Sequence, residues 1–349
     1  MNKKIVGIFC CLIMSFLFFQ PLVISDNTSF KKNFDEDVPN WEVGDKWSYK
    51  INEINIYLSE NLAFINFKPS DLIIEVTDVT SNSYFVDFDF KLSGDIKINL
   101  PQEYGNGEID LKFGGLFPIS ISRKIEYNKY DMGIKNIDSE ISGVCKLKIK
   151  NNDFIPIPLS IPFRFNIKLD FDFSNPFSLI SFPLAVEKYW GIHNTNLSFD
   201  GLIKSPWFRL LNFVHKIIRF INVIPEEYMY LSDMLVNILP VIDIKKTLSV
   251  FGKNNTFPMP SSNDPIFICI GYEQIIVQGN TLNCYNISLL DSGEGGMGNI
   301  YYSPDIGNIA KLYLNGNVLS PYLSSYLLGF GLPYEVVMSD INIEVLCIN

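Results

Sequence analysis

The amino-acid sequence predicts a mainly β protein of the α+β kind: a large curved antiparallel sheet, or half-barrel, wrapped around two or three apolar helices. Three observations point there. Apolar and polar residues alternate with period two along much of the chain, the pattern of strands with one dry face and one wet face. One such run is unusually long: Ile161, Phe163, Phe165, Ile167, Leu169, Phe171 and Phe173 share a face, while Arg164, Asn166, Lys168, Asp170 and Asp172 occupy the other. A strand that long fits a large, strongly curved sheet. Finally, a block at about 205–250 switches to helical spacing.

The chain opens with Lys3 and Lys4, followed by Ile5 to Phe19 without a charge. A basic start and an apolar run shorter than the roughly 20 residues of a spanning helix predict a signal peptide over 1–25. Val23 and Ser25 place its cleavage before Asp26; an uncleaved anchor is the alternative reading. Residues 26–40 are polar, with Asp35, Glu36, Asp37 and then Pro39, and read as a flexible lead-in. From Trp41 to residue 349 the chain reads as one large domain.

Within it, Val86, Phe88, Phe90 and Leu92 alternate with Asp87, Asp89 and Lys91, and after Ser93-Gly94 the alternation resumes at Ile96 and Ile98, which predicts a hairpin. Ile109 to Phe113 and Cys145 to Ile149 continue the pattern. Ser205-Pro206 then supplies an N-cap and a first-turn proline, ahead of Trp207, Leu210, Leu211 and Val214 at helical spacing. A second helix is predicted between Pro225 and Pro240, with Leu231, Met234 and Ile238 in its body. Both are apolar enough to need covering, and the concave side of the sheet is the expected place. Ile275 to Leu289 reads as a hairpin around Gly279-Asn280, Tyr301 to Leu314 as another pair, Pro321 to Phe330 as a further helix, and Ile341 to Cys347 as a last strand.

Composition excludes some functions. The formal charge is −10, becoming −12 once Lys3 and Lys4 leave with the leader, and no basic stripe offsets it. Phosphate binding needs Lys and Arg, so a nucleic-acid role is not expected. No nucleophile elbow, metalloprotease helix or phosphate loop is present; Gly293 to Gly298 lacks the Lys-Ser/Thr of such a loop and reads as a hairpin tip. His193 and His215 have no partner spacing, and the pairs Asp87/Asp89 and Asp170/Asp172 read as solvated faces. The chain is therefore read as non-enzymatic, with no cofactor and no metal.

Four cysteines remain beyond the leader: Cys145, Cys269, Cys284 and Cys347. In an exported chain they can oxidise. Cys269 with Cys284, flanking a hairpin, is the favoured pairing and Cys145 with Cys347 a lesser one; buried thiols are the alternative. Sequons stand at Asn27, Asn196, Asn254 and Asn286, which are candidate glycan sites in an exported protein.

Three motifs carry a resemblance. Trp41-Glu42-Val43-Gly44-Asp45-Lys46-Trp47-Ser48-Tyr49 resembles the W-x-V-G-D-x-W-x-Y opening of secreted archaeal and bacterial proteins of unknown function. Phe182 to Trp190 looks like a degenerate second copy of it, with Glu187 where the resemblance has glycine. Tyr301-Tyr302-Ser303-Pro304-Asp305-Ile306-Gly307 to Lys311 resembles their closing Y-Y-S-P-x-x-G motif. Such proteins are similar to lipoprotein-carrier half-barrels. The resemblance implies a curved sheet around helices and an apolar ligand held between them, and it brings no catalytic residues.

The expected function is thus an exported carrier or sensor of a lipid or other apolar ligand, lined by Phe88, Phe90, Phe163, Phe165, Phe171, Trp207, Leu211 and Met234. A cell-surface structural or interaction domain with a dry core is the alternative, and a hydrolase comes third. A membrane surface is a further expected partner for the apolar helices.

Overall fold

The computed structural model describes residues 38–58, 63–99, 107–115, 119–151, 155–191, 194–205, 241–243, 245, 255–258, 267–289, 298–317, 320 and 336–348. The leader, residues 26–37, Trp207, Leu211, Met234, Asn27, Asn254, both histidines and the helices expected at 206–240 and 321–330 lie outside them.

The first part of the chain forms β1 (Lys46–Ile51), β2 (Ile54–Leu58), β3 (Ala63–Phe67), β4 (Ser70–Val79), β5 (Ser83–Leu92), β6 (Gly94–Asn99), β7 (Gly107–Phe113), β8 (Ile119–Asn128), β9 (Ile134–Asn151) and β10 (Ile155–Phe177). The second part forms β11 (Tyr189–Trp190), β12 (Asn196–Lys204), β13 (Val241–Asp243), β14 (Thr256–Pro258), β15 (Phe267–Val277), β16 (Asn280–Leu289), β17 (Gly298–Ser303), β18 (Asn308–Leu314), β19 (Val336–Met338) and β20 (Ile341–Ile348). All belong to one antiparallel sheet. The predicted long strand is β10, and the alternation that predicted it keeps Leu169 and Phe171 buried while Lys168, Asp170 and Asp172 face water.

The expected wrapping of this sheet around apolar helices finds no support among the described residues. Their inward faces gather instead into one core of strand side chains and the segment 178–190. The hairpin expected at Ser93-Gly94 is also corrected. β5 pairs with β4 and β8, whereas β6 pairs with β3 and β7, so the chain bends there without reversing. Leu92, Gly94 and Ile96 all stay buried, so the inward parity passes through the bend. Glycine is needed because a Cβ on Gly94 would lie 2.0 Å from the Asn66 carbonyl oxygen. The turn of the β15–β16 hairpin falls one residue earlier than expected. Gln278 (φ 49°) and Gly279 (φ 87°) are its left-handed central pair, and Asn280 already pairs with Val277.

The pairings divide into two rounds of the same topology. In the first, β1 with β2, β3 with β4, β5 with β6, β7 with β8, then β9 and β10, are six successive antiparallel passes. In the second, β11 with β12, β13 to β15, β16, β17, β18 and β19 with β20 repeat the order. The last pass of each round pairs with the first pass of the other: β10 with β12, and β20 with β1. Residues 206–240 thus fall between β12 and β13, where the first round has only the link 59–62.

Candidate functional site

The two Trp motifs start the two rounds, and they make the same turn. In the first, the Asp45 amide donates to the Glu42 carbonyl at 3.2 Å, the Gly44 amide donates to Val76 at 2.8 Å, and the Val76 amide donates back to Asp45 at 2.9 Å. In the second, Lys188 donates to Ala185 at 3.1 Å, Glu187 donates to Cys269 at 2.7 Å, and Cys269 donates back to Lys188 at 2.9 Å. The turn needs a left-handed residue, which is Gly44 (φ 99°) in one copy and Glu187 (φ 68°) in the other. Each turn delivers a tryptophan to the core: Trp47 opposite Ile74, and Trp190 opposite Phe267.

Aromatic packing repeats as well. Trp41 meets Tyr127 edge-on at 5.5 Å and 78°, and Phe182 meets Tyr302 at 5.4 Å and 74°. Tyr84 stands opposite Tyr127, as Tyr285 stands opposite Tyr302. The third motif closes β17 onto β18 through a turn in which Gly307 donates to the Pro304 carbonyl at 3.2 Å.

One inward position breaks the repeat. Following the register from Trp47 gives Ile74, Phe88, Arg123 and Ser139. From Trp190 the equivalent row is Phe267, Leu289, Gly298 and Leu314. Arg123 therefore occupies a core slot that the second round fills with glycine. It is 3% exposed, the one Lys or Arg among the described residues that is buried. Its guanidinium lies 5.9 Å from the centre of the Phe90 ring. Burial pushes the guanidinium down to about 10, so it still carries its charge at neutral pH. The signal in the sequence was parity: Ile119, Ile121, Arg123, Ile125 and Tyr127 are alternate residues, and Arg123 interrupts their apolar face.

The inward face of the first round also holds buried donors that find no hydrogen-bond acceptor among the described residues: the Trp41 and Trp47 indole N–H groups and the Tyr127 hydroxyl. Asn308 approaches the buried Tyr49 hydroxyl without completing a hydrogen bond. Burial holds both tyrosines above the usual phenol range. An unmatched buried donor costs about 1–3 kcal/mol, so a group of them is unusual in a dry core.

The expected lining residues separate into two sets. Phe88 and Phe171 are 1% exposed, and Phe171 stacks on Phe199 at 4.9 Å. Phe90 and Phe165 are half-buried, together with Ile98, Leu111 and Ile167. Phe163 pairs across the sheet with Cys145. The structure therefore brings Phe90 beside Arg123 and places Phe88 and Phe171 in the packed part of the face.

The favoured disulfide is corrected by the register. Cys269 stands opposite Ile287 and Cys284 opposite Glu273, three positions apart along the ladder, and each is a buried thiol. Three residues of strand span about 10 Å, more than the roughly 7 Å that a bridge tolerates. Burial pushes the Cys145 thiol up to about 11 and the Cys284 thiol up to about 12. At pH 8 iodoacetamide should leave Cys284 unmodified in the folded protein and label Cys269 and Cys284 in non-reducing denaturant; a pair resistant in denaturant would restore the disulfide.

The sequons also diverge. Asn196 is exposed at the start of β12. Asn286 is 7% exposed and its amide is committed, donating to Glu273 at 2.6 Å and accepting from Asn299 at 2.8 Å. A glycan on Asn286 would have to displace Glu273, so the folded protein offers Asn196 as the acceptor of the two. Asp170 and Asp172 face water and share the Asn136 amide, at 3.0 and 2.8 Å. Among the described residues no cluster of His, Cys, Asp or Glu gathers to hold a metal.

Comparison with protein-family models, with curated proteins and with solved structures returns no match to this chain.

Proposed function

We propose that this is an exported, non-enzymatic carrier or sensor that holds a lipid or other apolar ligand against the inward face of its sheet. The observation that carries this reading is a juxtaposition. A half-buried apolar stretch, with Phe90, Phe165 and Ile167, shares the inward face with buried donors that find no acceptor among the described residues. Apolar surface of this kind gains about 25 cal/mol for each Å² it buries against a ligand chain. Acceptor atoms on the same ligand would relieve the unmatched donors. The motif resemblance to lipoprotein carriers and the leader-like N-terminus support the same reading.

The test is native mass spectrometry of gently purified protein, followed by titration of a delipidated preparation with a fluorescent fatty acid. The expected result is a co-purified lipid and saturable, stoichiometric binding; no saturable binding would overturn the proposal. One observation favours a second reading, a structural domain with a dry core: Phe88, Phe171 and Trp47 are packed almost completely away from solvent. That reading expects no lipid in either measurement.

A further inference from the structure

The geometry points to the outer edge of β15 as a self-association surface, where β15 of a second copy of this chain pairs antiparallel across a two-fold axis at Gln274. The proposal is independent of what the inward face holds.

Comparison of the two rounds isolates the element. Cys269 of β15 matches Val76 of β4, because each exchanges the same backbone hydrogen bonds with its tryptophan turn. Both strands carry a register shift just after that residue, so Tyr272 matches Val79 and Tyr285 matches Tyr84. β4 ends at Val79, whereas β15 runs on past Tyr272 to Val277, and the other arm of the hairpin starts correspondingly early, at Asn280. One round is thus built without this extra ribbon and the other carries it.

The ribbon is anchored on its inner face and on its β16 side. Val277, Leu282 and Cys284 are buried. The Asn283 side-chain amide donates to Asp305 at 2.8 Å, and Gln278 in the turn donates to Glu344 at 2.8 Å. The β15 side differs. β11 pairs with Phe267 and Ile268 and the turn reaches Cys269, but beyond Cys269 no described strand pairs with β15 on that side.

Open edges are ordinarily blunted by charge, proline or a covering segment. Here the outward residues Ile270, Tyr272, Gln274 and Ile276 are uncharged and exposed, Ile276 at 75%. Tyr272 packs on Tyr285 at 4.8 Å. The one charged residue among them, Glu273, has the opposite parity and accepts from the Asn286 amide at 2.6 Å. Val186 and Tyr189 extend the strip past β11, so five of the eleven exposed large apolar side chains among the described residues line this one edge. The first round has Lys46, Glu75 and Thr77 where the second has Tyr189, Ile268 and Ile270, and its Lys46 and Glu75 form an ion pair at 2.6 Å. A contiguous apolar strip on an open edge is a surface for strand addition.

Charge and register single out a second copy as the added strand. Copies of a chain with a formal charge of −10 repel one another, so they meet best where charge is absent. Antiparallel pairing about Gln274 sets Tyr272 opposite Ile276 of the second copy, and the two-fold axis repeats that apolar pair. It sets Glu273 opposite Ile275, so the two Glu273 carboxylates do not face each other. The paired stretch, Gly271 to Val277, spans about 24 Å.

The experiment is sedimentation equilibrium of the purified protein over a wide concentration range. The expected result is a reversible monomer–dimer equilibrium. Tyr272→Lys and Ile276→Lys should each weaken it about tenfold, because the axis counts every change twice. Tyr57→Lys, at an exposed tyrosine of the first round, should leave it unchanged. Under mild oxidation Gln274→Cys, on the axis, should give a disulfide-linked dimer, whereas Ile276→Cys, about 13 Å from its own counterpart, should not. A monomer at every concentration would overturn the proposal, as would a dimer that Ile276→Lys leaves intact. Cross-linking through Ile276→Cys and not Gln274→Cys would overturn the axis at Gln274. Binding of an extended apolar peptide by a protein that stays monomeric would give the edge a different occupant and overturn self-association. The wild-type measurement decides the point even if a variant does not fold.

Discussion

In the first round of the sheet Gly44 carries the left-handed backbone of the Trp41–Trp47 turn; in the second, Glu187 carries it in the Leu184–Trp190 turn. The hydrogen bonds around the two are the same, so this topology is held by backbone geometry and a buried tryptophan, and the residue at the left-handed position is adjustable at a cost. Elsewhere the rounds differ more. The first round buries Trp41, Trp47, Tyr84 and Tyr127 together, and the second has Leu184, Trp190, Tyr285 and Tyr302 at the matching positions, with Phe182 packed edge-on against Tyr302. Arg123 belongs to the first round alone, whereas buried polar groups without a partner among the described residues occur in both, at Trp41, Trp47 and Tyr127 in the first and at Ser303 and Asn308 in the second. The repeated parts therefore report what the fold requires.

The comparison breaks most readily at the tryptophans. Trp47→Ala should destabilise by about 4 kcal/mol, the usual cost of emptying a fully buried aromatic site. Trp190→Ala should cost less, because Trp190 sits on a two-residue strand and is less completely buried. Urea unfolding of both variants checks the order, and a larger loss at Trp190 would show that the second round is the firmer one.

The left-handed positions come next and should move in opposite directions. Gly44→Ala places a Cβ on a backbone that L-residues avoid and should cost about 2 kcal/mol. Glu187→Gly removes the same strain and should stabilise by up to about 1 kcal/mol, less what glycine adds to unfolded-chain entropy. A destabilised Glu187→Gly would mean that the Glu187 side chain itself supports the turn.

The smallest effect lies at the seam where the rounds meet. On β20, Glu344 accepts from Lys311 at 2.8 Å and from Gln278 at 2.8 Å, and these bonds hold its carboxyl below the usual glutamate range. A folded pKa below the unfolded one contributes stability that is complete above the unfolded value and is lost as pH falls through the folded one. Glu344→Gln should therefore cost about 1 kcal/mol at pH 7, and the gap from wild type should close below about pH 4. A gap independent of pH would assign the loss to packing.

Much of this was legible in the chain. The period-two runs predicted the strands and which of their faces are dry, because a half-buried strand must alternate whatever it pairs with. They did not predict pairing partners. The alternation on either side of Ser93-Gly94 suits a hairpin and a bent through-strand equally, and the choice falls to Asn66, whose carbonyl sits where a Cβ would be. Cys269 and Cys284 look like a bridged pair by spacing, yet the β15–β16 register, with a bulge after Cys269, sets them apart. Arg123 was visible as a parity break but gained meaning only when the register aligned it with Gly298.

The sequence by itself determined the mainly β class, the inward and outward faces and the two tryptophan turns, because alternation and left-handed backbone are local properties of neighbouring residues. Long-range contacts made the turns begin two equivalent rounds, joined β10 to β12 and β20 to β1, and set one buried guanidinium beside the half-buried Phe90. Those outcomes depend on contacts between residues far apart in the chain, which register and core packing select together.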